Sequence, residues 1–304
     1  MNKRSLARVF AAIACLAAVT SIGTYSLVAD DASPKHGAAG VTPSALPSAR
    51  SSSAGSGCGG PPAARGAVPA MPTAVPSDFT RAFSEDFDTP APLGSFNAVY
   101  GSMFGEYTGR STNGFTKYDA DKVLYVQNGS LCYDLHSVDG QSYAAAPQAW
   151  NSKSFLYGQV GISVRLDSST GRGYKIAFLL WPKTNQWTNE VDFPEVDPDF
   201  ATPVRALSLN TTTDKGTHGF SGKSSTGVYL TDNQYHTFLL DWEPGKMTAS
   251  IDGKVVENFP VKSIPTQPMR LSLQAEGWIK EGPVPASTTD ILEVPWVYIN
   301  TYTP

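Results

Sequence analysis

Tyr174-Lys175-Ile176-Ala177-Phe178-Leu179-Leu180-Trp181, followed after a break at residues 182–189 by Glu190-Val191-Asp192-Phe193-Pro194-Glu195, is the stretch that decides the fold. The first run is apolar on both faces, as a central strand covered on each side would be. The break carries a proline and polar residues, and the second run reads as the partner strand. Side chains alternate along a strand, so Glu190 and Asp192 share a face. Strict alternation sends Glu195 to the other face, unless a β-bulge absorbs one extra residue. Pro194 stands where that residue would go, because a proline inside a sheet is confined to edges and bulges by its missing N–H. With the bulge, all three acids line one face.

The same period-2 reading extends outward. Val160, Ile162, Val164 and Leu166 alternate with Gln159, Gly161, Ser163 and Arg165, a half-buried strand. Met269, Leu271 and Leu273 face one way, and Arg270, Ser272, Gln274 and Glu276 the other. Asn128-Gly129 falls between strands at Lys122–Val126 and Leu131–Leu135, and Asp252-Gly253 follows Met247–Ile251; both dipeptides suit tight hairpin turns. The first strand is expected at Phe83–Phe87 and the last at Leu292–Tyr298. No window sustains a 3.6-residue stripe, so helix is minor. Strands at this density, separated by Gly and Pro turns, imply an all-β fold: an antiparallel β-sandwich or jelly roll.

Charged residues make up 16 % of the chain, while Gly and Pro number 27 and 23, a balance suited to a secreted, loop-rich β protein. The net charge of −4 argues against a nucleic-acid partner, which needs clustered Lys and Arg. Residues 1–29 read as a targeting segment, with Lys3, Arg4 and Arg8 before an apolar run. Cleavage as a signal peptide and secretion are expected; an uncleaved anchor at the outer face of a membrane is the alternative. Residues 30–77, rich in Ala, Ser, Pro and Gly, read as a disordered tether, and residues 78–304 as one folded domain, expected to be a monomer. Cys15 lies in the targeting segment, Cys58 in the tether and Cys132 on a strand. A Cys58–Cys132 disulfide suits an exported protein, but a free, buried Cys132 is the reading adopted. No zinc-ligand spacing is present.

On a flat strand the Cα atoms of Glu190 and Glu195 would lie up to about 13 Å apart, at roughly 3.3 Å per residue. A bulged strand on a curved sheet lets the side chains lean together, toward the roughly 5–5.5 Å at which retaining glycosidases hold a nucleophile and an acid/base. Three like charges so close cannot all ionise, and one proton is shared or retained at neutral pH. Glycoside cleavage needs that division between an ionised and a protonated acid. A solvated acidic strand edge or a calcium-binding loop would carry the same letters.

The run Glu190-x-Asp192-x-x-Glu195 resembles the active-site signature of glycoside hydrolase family 16 in its bulged form. Tyr157-Gly158-Gln159-Val160, Leu180-Trp181-Pro182 with Trp187, and Tyr235 to Trp242 followed by Ile251-Asp252-Gly253-Lys254 resemble further segments of that family, over about residues 78–304. The resemblance implies a concanavalin-like jelly roll with a concave substrate cleft. It also implies Glu190 as nucleophile, Asp192 as assisting acid and Glu195 as acid/base of an enzyme acting on a polysaccharide, most simply a β-1,3- or mixed β-1,3-1,4-glucan. A cell-wall transglycosylase and a non-catalytic carbohydrate-binding module are the alternatives, and the module has no need of three acids. Trp187, Trp181 and Trp242 are candidate sugar platforms, each with core packing as the competing explanation. Gln274 with Ser272, and Arg165, are candidate hydrogen-bond donors to substrate. His218 and His236 read as surface or hydrogen-bonded structural residues, since no Ser or Cys nucleophile motif accompanies them. Ser163 stands where the family often has arginine, and Asn189 where it has glycine. Glu293-Val294-Pro295 stands in place of a calcium-binding aspartate, so no metal or cofactor is expected.

Overall fold

In the computed structural model the described residues are 58, 67–111, 113–185, 189–196, 202–209, 220–278 and 282–304. The expected targeting segment and most of the tether lie outside them, as do Trp187, Asp197 and His218.

The alternation read from the sequence becomes two packed sheets. A seven-stranded sheet runs in the order Phe220–Ser225, Arg205–Leu209, Val191–Val196, Tyr174–Pro182, Met269–Gly277, Pro147–Gln148, Gly105–Glu106. A nine-stranded sheet is built on Lys254–Asn258, Lys246–Ile251, His236–Glu243, Gly158–Ser169, Asp290–Val294, Ser130–Leu135 and Leu124–Gln127. Val297–Tyr302 joins that sheet by pairing with both Phe79–Glu85 and Gly158–Ser169. A small sheet of short strands holds Lys117–Tyr118 parallel to Gln141–Ala144; every other named pairing is antiparallel. Helix is confined to short pieces such as Phe96–Tyr100 and Ala120–Val123. The architecture is the expected antiparallel jelly roll.

The core lies between the two large sheets. Ile176, Phe178 and Leu180 of the central strand meet Leu271, Leu273 and Ala275 of its neighbour within it. Phe238, Leu240 and Trp242 enter it from the nine-stranded sheet, where Phe238 packs edge-on against Phe193 at 5.6 Å. Both predicted hairpins form, with Asn128, Gly129, Asp252 and Gly253 all at positive φ, the requirement of a type I′ turn.

Three expectations need correction. The Gly158–Ser169 strand is buried on both faces, since Gln159, Ser163 and Arg165 are covered as well as the core-facing Val160, Ile162 and Val164. Cys132 is not free: it forms a disulfide with Cys58 across 74 residues. Residues 67–77 contact the fold rather than hang from it. Trp296 Nε1 donates to the Pro69 carbonyl at 2.6 Å, and Arg81 Nη2 to the Pro72 carbonyl at 2.9 Å.

Candidate active site

The acid-bearing strand, Val191–Val196, pairs with Tyr174–Pro182 on one side and Arg205–Leu209 on the other. Ala177 faces Glu195 and Leu179 faces Asp192, so two positions on the central strand span three on the acid strand. The same shift recurs on the other side, where Asp192 faces Leu207 and Glu195 faces Arg205. One extra residue is therefore absorbed at Phe193-Pro194, whose peptide bond is cis. Proline brings no N–H to the ladder, so the interruption leaves no donor unsatisfied. Val191, Phe193 and Val196 point into the core. Glu190, Asp192 and Glu195 share the opposite face of the sheet.

Directly opposed residues in antiparallel strands share a face, which places Lys175, Ala177, Leu179 and Trp181 beside the acids. The next strand adds Glu276, Gln274, Ser272 and Arg270 to the same face. The electrostatics of the acids follow from burial and crowding. Glu190 is raised to about 7: burial disfavours its charge and the carboxylates of Glu276 and Glu195 add to that, while a hydrogen bond from Asp192 and the charge of Lys175 pull it back. Asp192, 7 % exposed, is pushed well above the usual carboxylate range by burial and by the negative charges of Glu190 and Glu195. At neutral pH Asp192 thus keeps its proton and donates it in a hydrogen bond to Glu190, which sits at its own midpoint. The retained proton expected from the crowding of the motif resides on this pair.

Glu195, 6 % exposed, is held by cations. Lys175 Nζ donates to its Oε1 at 3.3 Å, and Arg205 Nη2 lies 3.4 Å from the same oxygen. Its Oε2, like Asp192 Oδ1, is buried with no hydrogen-bond partner among the described residues.

The candidate substrate residues divide. Trp181 is half-buried on the acids' face, its Nε1 donating to Asn185 Oδ1 at 3.3 Å. Gln274 is half-buried on that face, donating to Glu276 Oε1 at 3.3 Å. Trp242 is not a platform. It is fully buried between the sheets, its ring 5.1 Å from that of Tyr157 and its Nε1 donating to the Pro265 carbonyl at 3.1 Å. Arg165 is not near the acids either. It projects from the nine-stranded sheet on the side away from the core, where it pairs with Glu293 at 2.9 Å, with Asp167 and with Asn233. Both were misplaced because their strand neighbours fix which residues share a face, but not which sheet carries the site. His236 is structural, bonded to Asp252 Oδ2 at 2.7 Å and Asp232 Oδ2 at 2.9 Å.

Two residues on the acids' face escaped the sequence reading. Lys175 interrupts an apolar run, and that interruption was its only signal. Arg270 faces Trp181 across the ladder, donates to Asn185 Oδ1 at 2.5 Å, and keeps its Nε buried without a partner.

A jelly roll with three carboxylates on the open face of one sheet, two of them sharing a proton, defines a carbohydrate-cleaving class of site. The match to the family model "Glycosyl hydrolases family 16" covers residues 111–297, more than half of the 304 residues, and the chain belongs to that family. Among solved structures, SCLam, described as a non-specific endo-β-1,3(4)-glucanase, superposes with a TM-score of 0.59 at 20 % identity, covering 76 % of this chain and 94 % of that one. The laminarinase from Rhodothermus marinus gives 0.58 at 19 % identity, covering 74 % and 98 %. These likenesses establish the fold. Crh-like protein 3 of Botryotinia fuckeliana (strain B05.10) is 25 % identical over 179 residues, 57 % of this chain. The alignment takes in only 36 % of that protein's length.

Proposed function

We propose that the protein is an endo-acting, retaining β-glycosidase of an exported kind, cleaving β-1,3- or mixed β-1,3-1,4-glucan. The observation that carries the reading is the bulge, which turns Glu190, Asp192 and Glu195 to one face and leaves them unequal in charge state. Ionised Glu190 attacks the anomeric carbon and forms a glycosyl-enzyme, while Glu195 protonates the leaving oxygen and later activates water. Asp192, protonated and bonded to Glu190, favours the ionised nucleophile and can strengthen or relax that bond as the charge is spent. Trp181 offers an aromatic face to a sugar, and Gln274 and Arg270 offer donors to its hydroxyls. This chemistry uses carboxylates alone. The glucanase and laminarinase neighbours favour a glucan, and a complex of SCLam was co-crystallized with 1,3-β-D-cellobiosyl-cellobiose. The Cys58–Cys132 disulfide favours an oxidising compartment, where such bonds persist.

The test is the product profile on laminarin, lichenan and agarose, run beside Glu190→Ala. Oligosaccharide release from laminarin or lichenan by the wild type alone supports the reading. Products longer than the substrate would indicate transglycosylation, and binding without cleavage by the wild type would indicate a carbohydrate-binding module.

A further inference from the structure

Lys175 is an ammonium group on a strand that is otherwise apolar, 6 % exposed and directed at the acids. Its Nζ lies 3.3 Å from Glu195 Oε1 and 3.3 Å from Glu276 Oε1. The indole ring of Trp278 covers it, with Nζ 3.6 Å from the ring centroid, a cation–π contact. Burying an ammonium is costly unless it is paired, and here two carboxylates and an aromatic face share one charge. Burial disfavours the charged lysine, but Glu276, Glu195 and Asp192 together outweigh it, so the group is held in its charged form.

The far side of this network touches none of the three acids. Glu276, itself buried, lies 3.4 Å from the Tyr118 hydroxyl and accepts from Gln274 Nε2 at 3.3 Å. The lysine is thereby fixed from the neighbouring strand before it reaches Glu195. On the other side of the acid strand Arg205 approaches the same Glu195 oxygen. Oε1 is gripped from both adjoining strands, and Oε2 is left without a partner.

We propose that Lys175 is a positioning residue for Glu195: it anchors the carboxylate through Oε1, so that Oε2 is the oxygen that exchanges the proton with the leaving group and then with water. Glu276, Tyr118 and Trp278 serve to hold the ammonium in place. This inference rests on the assignment of Glu195 as acid/base.

The test uses Lys175→Met, which keeps length and volume but removes the charge, and Lys175→Arg, which keeps the charge. Each is assayed on the glucan cleaved best by the wild type and on a nitrophenyl β-glycoside of the same glycan, whose leaving group needs little protonation. Lys175→Met is expected to lower kcat on the glucan by about 10²-fold, within the usual contribution of general acid–base catalysis, with KM nearly unchanged. The nitrophenol burst should lose less than about 3-fold, because that step needs little of the acid. Lys175→Arg should recover part of the glucan activity. The charged and titratable groups facing Lys175 are Glu195 and Asp192 on the acid strand, Glu276 on its other neighbour, and Glu190, Arg205 and Tyr118 beyond. Removing the positive charge makes a proton on the acid easier to keep, so the alkaline limb of the pH–rate profile should move to higher pH. Glu276→Gln, a second variant in case Lys175→Met does not fold, releases the ammonium to Glu195 alone and should move that limb to lower pH. Equal losses on both substrates with an unmoved alkaline limb, in either variant, would overturn the proposal. Glu195→Ala run in parallel separates the two claims: if it too loses equally on both substrates, the acid/base assignment fails, whatever Lys175 does.

Discussion

Replacing Asp192 by alanine removes the hydrogen bond that Asp192 donates to Glu190, the largest influence opposing burial at the nucleophile. A hydrogen bond to a charged group contributes about 1.5–3 kcal/mol. At about 1.36 kcal/mol per pH unit, its loss raises the midpoint of Glu190 by about 1–2 units, from about 7. The nucleophile must be ionised, so the acidic limb of kcat/KM against pH should move up by that amount. At pH 6 the ionised fraction falls by about 10- to 100-fold, while well above the new midpoint the two enzymes converge apart from any loss of positioning. Asp192→Asn can donate the same bond from its amide nitrogen, and its limb should stay near that of the wild type. The assay is the pH dependence of kcat/KM for both variants on one glucan, with circular dichroism to establish that both are folded. A limb that stays in place in Asp192→Ala, or moves equally in both variants, would refute the reasoning.

Glu190→Ala should abolish cleavage of glucan altogether, whereas Glu195→Ala should still release nitrophenol in a burst and be accelerated by azide, giving a β-glycosyl azide detectable by mass spectrometry and NMR. Thermal stability should decline as pH rises from about 5 to 8. Glu190, Asp192 and His236 all have folded-state pKa values above their ordinary ones, so the stability each contributes is complete below the unfolded pKa and is lost as pH rises through the folded one. At His236 burial works against the charged ring, but the bonds to Asp252 and Asp232 outweigh it. His236→Asn should flatten the decline above about pH 6.5, the ordinary histidine value, in a melting series; an unchanged slope would remove that clasp from the explanation. Cys132→Ser opens a loop spanning 74 residues and should cost about 2–4 kcal/mol in denaturant unfolding; a midpoint unchanged from the wild type would mean that the bond to Cys58 constrains nothing.

What the sequence revealed was whatever depends on short-range period and turn chemistry. The common face of Glu190, Asp192 and Glu195 followed from alternation plus one proline, and the turns at Asn128-Gly129 and Asp252-Gly253 from their demand for positive φ. What it hid was the pairing of distant strands. Arg165 and Trp242 looked like site residues, because alternation does not say that their strands lie in the other sheet. Lys175 passed as an incidental polar residue because its partners, Glu195 and Glu276, come from strands on either side of its own. Cys58 looked remote from Cys132 because nothing local in a Pro- and Gly-rich stretch announces where it returns to the fold.

The configuration of the first-formed product tests most directly the claim that the bulge pairs Glu190 and Glu195 as nucleophile and acid/base. Proton NMR during the first moments of glucan cleavage should show the β-anomer of the new reducing end, which slowly mutarotates to the equilibrium mixture. A first-formed α-anomer would mean direct displacement by water, and would contradict both the role given to Glu190 and the geometry from which it was argued.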